Sequence, residues 1–326
     1  MRPLGITCCF LFFELCAGVQ GVRPQSQAGA ASQAGAASDG PRANFYASVD
    51  EVSLTFHAAD AQGLPVTDLK VNDLTIYDNY KAPGKILVFE SLGDTPTKAG
   101  ILLDTSDSME RWAARGRAIA IQYVQRLLRT QTDHAFIEEF GSVSRVVQPW
   151  TGDVHALTFG IGEAAPGSAN PLGGTALFDT IFSAFLYQFG KSERPASGNF
   201  ILLFTDGEDN ASHVDLRSAV DMCQAANTAI YAFRPRLAET NSPGPKNLSE
   251  LSAETGGRTF QLDSTEAEIS TDLKIIDSDL RDRYWLVYRP VELKHDGSFH
   301  TVYVGNSDSA RGLTIDVRSG YYAPAR

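Results

Sequence analysis

The chain has 326 residues, room for one large domain with a small one or for two of modest size. With 43% hydrophobic and 21% charged residues it reads as an ordinary globular protein able to bury a core. The formal charge of −11, without any cluster of Lys and Arg, argues against nucleic-acid binding, because phosphates need clustered cations.

In chain order, residues 1–21 read as a secretory signal peptide. Arg2 precedes an apolar run from Leu4 to Leu15, and small residues lead to a cleavage site at Val19-Gln20-Gly21. Glu14 interrupts that run. Cys16 follows Phe13-Glu14-Leu15 instead of the small residues of a lipoprotein anchor, so soluble export is preferred to lipidation. No other apolar run reaches the ~18 residues of a membrane helix. Cleavage near Val22 removes Cys8, Cys9 and Cys16 and leaves Cys223, so the mature chain has no partner for an intrachain disulfide. Cys223 lies in "AVDMCQAAN", a helix-like apolar stretch, and is expected to be a buried, inert thiol. Residues 22–43 repeat "SQAGAA" twice in succession; small residues without large apolar partners make this a linker.

From 44 to 97 the pattern is strand alternation. In "VSLTFHA" Val52, Leu54 and Phe56 share one face, with Ser53, Thr55 and His57 on the other. "LTIYD" and "KILVFES" continue in kind, and "DAQGLP" supplies a turn. A lone strand histidine such as His57 is expected to be solvated. The segment 98–263 alternates apolar strands ("AGILLD", "HAFIEEF", "NFILLFTD", "TAIYAF") with helix-like stretches such as Met109 to Leu128 and Ala176 to Gly190. That order implies an α/β fold with a doubly wound, mostly parallel sheet. Residues 264–326 add a helix and the strands "RYWLVYRP", "HTVYVGN" and "GLTIDVRS". Tyr284, Leu286 and Tyr288 alternate as packing residues. Each terminal group of strands is too small for an independent sheet, so both are expected to form one small β-sandwich into which the central domain is inserted.

Ligands of doubly wound sheets gather at the carboxyl ends of the strands, near the switch in strand order. "GILLDTSDS" brings Asp104, Ser106 and Ser108 to that edge, "FILLFTD" brings Asp206, and "GGTALFD" sets Thr175 before a helix. Oxygen donors suit hard cations, above all magnesium. Three neutral hydroxyls and two carboxylates leave a cation short of negative charge, so a carboxylate from a ligand is expected to complete its shell. None of these residues is an evident base.

These residues resemble the metal-ion-dependent adhesion site of the von Willebrand factor A domain, over about Lys98 to Asp263. The family pattern is Asp-x-Ser-x-Ser in one loop, Thr in a second and Asp in a third. It falls on Asp104, Ser106, Ser108, Thr175 and Asp206. The resemblance implies that Ser106 and Ser108 coordinate Mg2+ (or Mn2+) directly, and that Thr175 and the two acids do so directly or through water. Glu208 and Asp209 in "TDGEDN" read as solvated rim acids, with contact to the metal or ligand as the minority reading. The flanks, "VTDLKVNDLTIYDN" and "ILVFES" before and "LRDRYWLVYRP" and "GLTIDVRSGYYAP" after, resemble exported A-domain-related proteins of acidobacterial type.

Enzyme patterns fail. A haloacid-dehalogenase-like phosphatase needs an Asp two residues after Asp104, where Ser106 stands. "FGKSE" lacks the upstream glycine of a phosphate loop, having Phe185 there. A G-x-S-x-G elbow is absent, and "TDGEDN" lacks the closing Glu of a calcium loop. Asn210-Ala211-Ser212 and Asn247-Leu248-Ser249 match glycosylation acceptors, a spacing that arises by chance. The expectation is an exported, non-enzymatic module (secreted, periplasmic or envelope-associated) that binds a protein partner's exposed carboxylate through a cation. The alternative is a structural or assembly module of an envelope complex with a vestigial metal site, and a metal-dependent hydrolase ranks third.

Overall fold

A computed structural model describes residues 51–93, 95–190, 198–236, 242–308 and 312–323. The expected signal peptide and linker, with Cys8, Cys9 and Cys16, lie outside the described residues.

The N-terminal strands are β1 (Val52–Ala59), β2 (Leu74–Asp78) and β3 (Lys85–Ser91). The central sheet follows, with β4 (Lys98–Asp104), β5 (His134–Phe140), β6 (Ser144–Thr151), β7 (Asn199–Phe204), β8 (Ala229–Arg234) and β9 (Thr259–Gln261). Its strand order is β6-β5-β4-β7-β8-β9, and every pairing is parallel except β5 with β6. Helices cover both faces, as continuous apolar strands such as "NFILLF" require. On one face α1 (Ala113–Arg126), α2 (Val154–Glu163) and α6 (Glu266–Arg281) pack Ile119, Tyr123, Leu157, Ile161, Ile269 and Ile276 onto the sheet. On the other, α3 (Leu177–Ala184), α4 (Leu216–Ala225) and α5 (Gly244–Thr255) contribute Leu177, Ile181, Val220, Leu248 and Leu251. Cys223 is buried in this second core, and burial pushes its thiol up to about 12, so it is inert at neutral pH.

The C-terminal strands are β10 (Arg283–Arg289), β11 (Phe299–Asn306), β12 (Thr314–Val317) and β13 (Gly320–Tyr322). They interleave with the N-terminal ones in two antiparallel sheets, ordered β12-β1-β10-β3 and β13-β11-β2. Val52, Leu54 and Phe56 of β1 meet Tyr284, Leu286 and Tyr288 of β10 and Val302 and Val304 of β11 in a third core. The ring of Tyr284 stacks between Phe56, at 5.4 Å, and Phe89, at 5.2 Å. The two ends of the chain therefore make one sandwich, with the α/β sheet inserted between β3 and β10.

The polar face of β1 departs from expectation. His57 is half-buried and its Nε2 is sequestered, because this face lies against the α/β part of the chain. There Ser53 Oγ accepts from Asn227 Nδ2 at 2.5 Å and from Trp285 Nε1 at 2.8 Å. Arg258 bridges Asp279 of α6 and Asp316 of β12, each at 2.7 Å. Alternation correctly separates the two faces of β1, but polarity here marks a hydrogen-bonded contact rather than solvent.

Candidate metal centre

β4 lies between β5 and β7, and the chain runs outward from β4 through β5 and β6 before returning to β7. Strand order thus reverses between β4 and β7, and the crevice at their carboxyl ends is where such sheets take ligands. Asp104 closes β4, and Asp206 follows β7 by two residues.

The loop after β4 alternates its contacts. Thr105 turns toward β5, its Oγ1 donating to the Phe140 carbonyl at 2.9 Å and its N–H donating to the same oxygen at 2.7 Å. Asp104 Oδ1 accepts the Ser106 N–H at 2.8 Å, and Ser106 Oγ lies 3.3 Å from Ser108 Oγ. A 3-10 helix, Asp107–Trp112, begins directly after Ser106, and the buried Met109 side chain pins it to the core. Asp104 and Ser106 are buried, whereas Ser108 is exposed. The hydroxyls are therefore presented by an anchored turn, graded from interior to surface.

Asp206 is also buried, and its Oδ1 accepts the Glu208 N–H at 3.1 Å. Gly207 has φ of +85°, and a Cβ there would strike Leu248 and the Gly244 backbone of α5. Only glycine lets this loop approach α5 so closely. Asn247 of α5 donates to the Gly207 carbonyl at 3.2 Å. Thr175 is buried just before α3, and its N–H donates to Asn210 Oδ1 at 2.8 Å, while its carbonyl accepts from Asn210 and Ala211. The Thr175 loop is thereby fixed to the Asp206 loop.

The site is electrically uneven. Burial pushes the Asp104 carboxyl up to about 6, and the charge of Asp206 adds to the rise. Hydrogen bonds from Ser106 and from Thr205, whose Oγ1 donates to Asp104 Oδ2 at 2.6 Å, oppose it. Among the described residues neither Asp104 nor Asp206 forms an ion pair with a cationic side chain. Two buried carboxylates without a cation are costly, and a divalent ion held by them with the Ser and Thr hydroxyls would offset that cost. Among the described residues no group of three or more His, Cys, Asp or Glu is placed to hold a metal ion, so a cation here would rely on the hydroxyls as well as the two carboxylates. The donor set is oxygen alone, which fits a hard cation.

The rim acids differ from each other. Glu208 follows Asp206 by two residues and donates its N–H to Asp206 Oδ1, and burial and then the charge of Asp206 raise its carboxyl. The sequence puts Asp209 at a solvated rim as well. Its carboxylate instead accepts the Phe178 N–H at the start of α3 at 2.8 Å and the Ser212 hydroxyl at 2.6 Å, acting as a brace. Sequence reasoning missed Thr205 and Asn210 as positioning residues. The available signal was their type, since short polar side chains beside a strand end bond locally to backbone.

A family model described as the von Willebrand factor type A domain matches residues 100–273, more than half of the 326-residue chain. The chain belongs to this family. Solved structures similar to it include BatB of Bacteroides thetaiotaomicron, with 17% identity over 56% of this chain and 98% of that one and a TM-score of 0.45. A von Willebrand factor type A protein from Catenulispora acidiphila is 15% identical over 79% of this chain and 75% of its own, with a TM-score of 0.45. Proximal thread matrix protein 1 of the mussel byssus, with its MIDAS motif occupied by zinc, is 14% identical over 62% of this chain and 49% of its own, with a TM-score of 0.46. A comparison with curated proteins gives no match. Type A domains commonly mediate metal-dependent protein binding. Among the described residues of this A-domain protein, no helix is long and apolar enough to cross a membrane.

Proposed function

We propose that the protein is an exported, non-enzymatic binding module that recognises an acidic group on a protein partner through a divalent cation. Asp104, Ser106, Ser108, Thr175 and Asp206 would hold Mg2+ or Mn2+, and the ion would supply the positive charge that attracts a carboxylate. The observation that carries this reading is the pair of buried carboxylates, Asp104 and Asp206, set among hydroxyls without an ion-pairing cation. Five oxygen donors would leave one position of an octahedral shell open, and an anionic carboxylate oxygen is a better donor to a hard cation than a neutral one. Export rests on the N-terminal pattern of Arg2, the apolar run and Val19-Gln20-Gly21.

Crosslinking capture of partners with and without chelator tests the reading. The expected result is a partner captured in Mg2+, lost in EDTA and lost with Ser106→Ala. Capture that is indifferent to both treatments would favour a structural or assembly role, and hydrolysis of ester or phosphate probes by the wild type alone would favour an enzyme.

A further inference from the structure

The outer face of the β13-β11-β2 sheet has a composition that core packing does not explain. Tyr77 of β2 stands directly opposite Tyr303 of β11, and their rings stack with centroids 6.1 Å apart and planes 29° apart. Both rings are exposed, at 41% and 55%, and Tyr80 beyond them is 88% exposed. An open groove of about 540 Å3 is lined by these three tyrosines with Thr75, Thr301, Val302 and Asn306, and no charged residue lines it.

Two backbone features hold the rings outward. Asn79 and Tyr80 form the centre of a tight turn in which Asp78 and Lys81 exchange hydrogen bonds, and both have positive φ, +44° and +64°. Asparagine tolerates that region, but glycine would suit the second position far better than tyrosine. The Tyr80 ring recovers nothing by burial, and an outlier of this kind points to function. On β11, a Cβ at Gly305 would collide with the Tyr303 ring, so glycine there leaves room for the ring to lie along the strand.

We propose that this face binds a neutral polysaccharide, independently of the cation site. Flat aromatic rings accept the C–H faces of pyranose rings, while the Thr and Tyr hydroxyls match sugar hydroxyls. The absence of charged residues from the groove lining selects against acidic or basic ligands.

Sedimentation of the full chain with insoluble cellulose, chitin and mannan, in EDTA so that the cation site makes no contribution, tests this. Retention is expected on at least one of them, falling about tenfold or more with Tyr303→Ala and also with Tyr80→Gly. Tyr80→Gly relieves the turn, so its unfolding temperature should equal or exceed that of the wild type. The proposal is overturned if none of the three retains the protein, if both variants bind as the wild type does, or if soluble anionic alginate competes better than soluble mannan. A concentration-dependent dimer that Tyr303→Ala dissolves would also overturn it, assigning the face to a second copy of the chain.

Discussion

Burial holds the Glu138 carboxyl up at about 7, with the Ser144 hydroxyl only partly opposing the rise. An acid whose folded pKa lies above its unfolded value contributes its stability below the unfolded value, near 4.5, and loses it as pH rises toward about 7. Glu138→Gln should therefore leave stability almost unchanged at pH 4 to 5 and raise it above pH 7, by about 1–3 kcal/mol. Denaturant unfolding across that pH range checks this, and a pH-independent difference between variant and wild type would contradict it. Asp133 shows the opposite sign. Burial would raise it, but hydrogen bonds from the Thr97 and Arg129 backbone and from the Arg281 and Arg129 side chains hold it down at about 2. Its contribution is present above pH 4 and fades as pH falls toward 2, so Asp133→Asn should flatten the acid limb of the stability profile. "HAFIEEF" reads as a strand from its apolar members, yet the fates of its two acids are not legible there. Glu139 pairs with Arg145 of β6 at 2.6 Å, while Glu138 meets an apolar interior. Which neighbour each acid meets depends on strands paired through the fold.

At the scale of elements, the start of α3 ties the candidate site to the scaffold. Asp209 accepts the Phe178 N–H, and Asn210 accepts the Thr175 N–H. Asp209→Ala should cost about 1 kcal/mol, as the loss of a helix cap does. It should also weaken Mg2+ binding by loosening Thr175, whereas Glu208→Ala should leave stability within about 0.5 kcal/mol. Thermal unfolding of both variants beside metal titration separates the brace from the rim; equal stability of the two would contradict the assignment. The buried parallel strands β4, β7 and β8 were legible because each is a continuous apolar run. Strand β6 was not, since "SRVVQPWT" carries Pro149 and lacks clean alternation, features that an edge strand tolerates. The three-residue β13 is too short to stand out. Asp104, Ser106, Ser108 and Asp206 were legible because strand ends and a two-residue spacing suffice to place them. Thr205 and Asn210 act through partners 101 and 35 residues away, which no local pattern records.

For the whole molecule, the sandwich depends on both ends of the chain. β1 and β3 each pair with β10, and β2 pairs with β11, so the N-terminal strands find their partners only beyond the inserted domain. A fragment of residues 44–97 should remain unfolded by circular dichroism and amide dispersion, because three strands without their partners cannot bury a face. A folded fragment would contradict the interleaved architecture. The polar seam of Ser53, Asn227, Trp285, Arg258 and Asp316 then sets the sandwich against the A domain, leaving the β4–β7 crevice at the far ends of its strands for a ligand. That crevice carries the central claim, and calorimetric titration of Mg2+ into the full-length chain tests it most directly. The account predicts saturable uptake at one site at or below a concentration on the order of 1 mM, abolished or strongly weakened in Ser106→Ala without loss of the fold. A wild type that takes up no Mg2+ or Mn2+ in that range, or a Ser106→Ala variant that binds equally well, would contradict it.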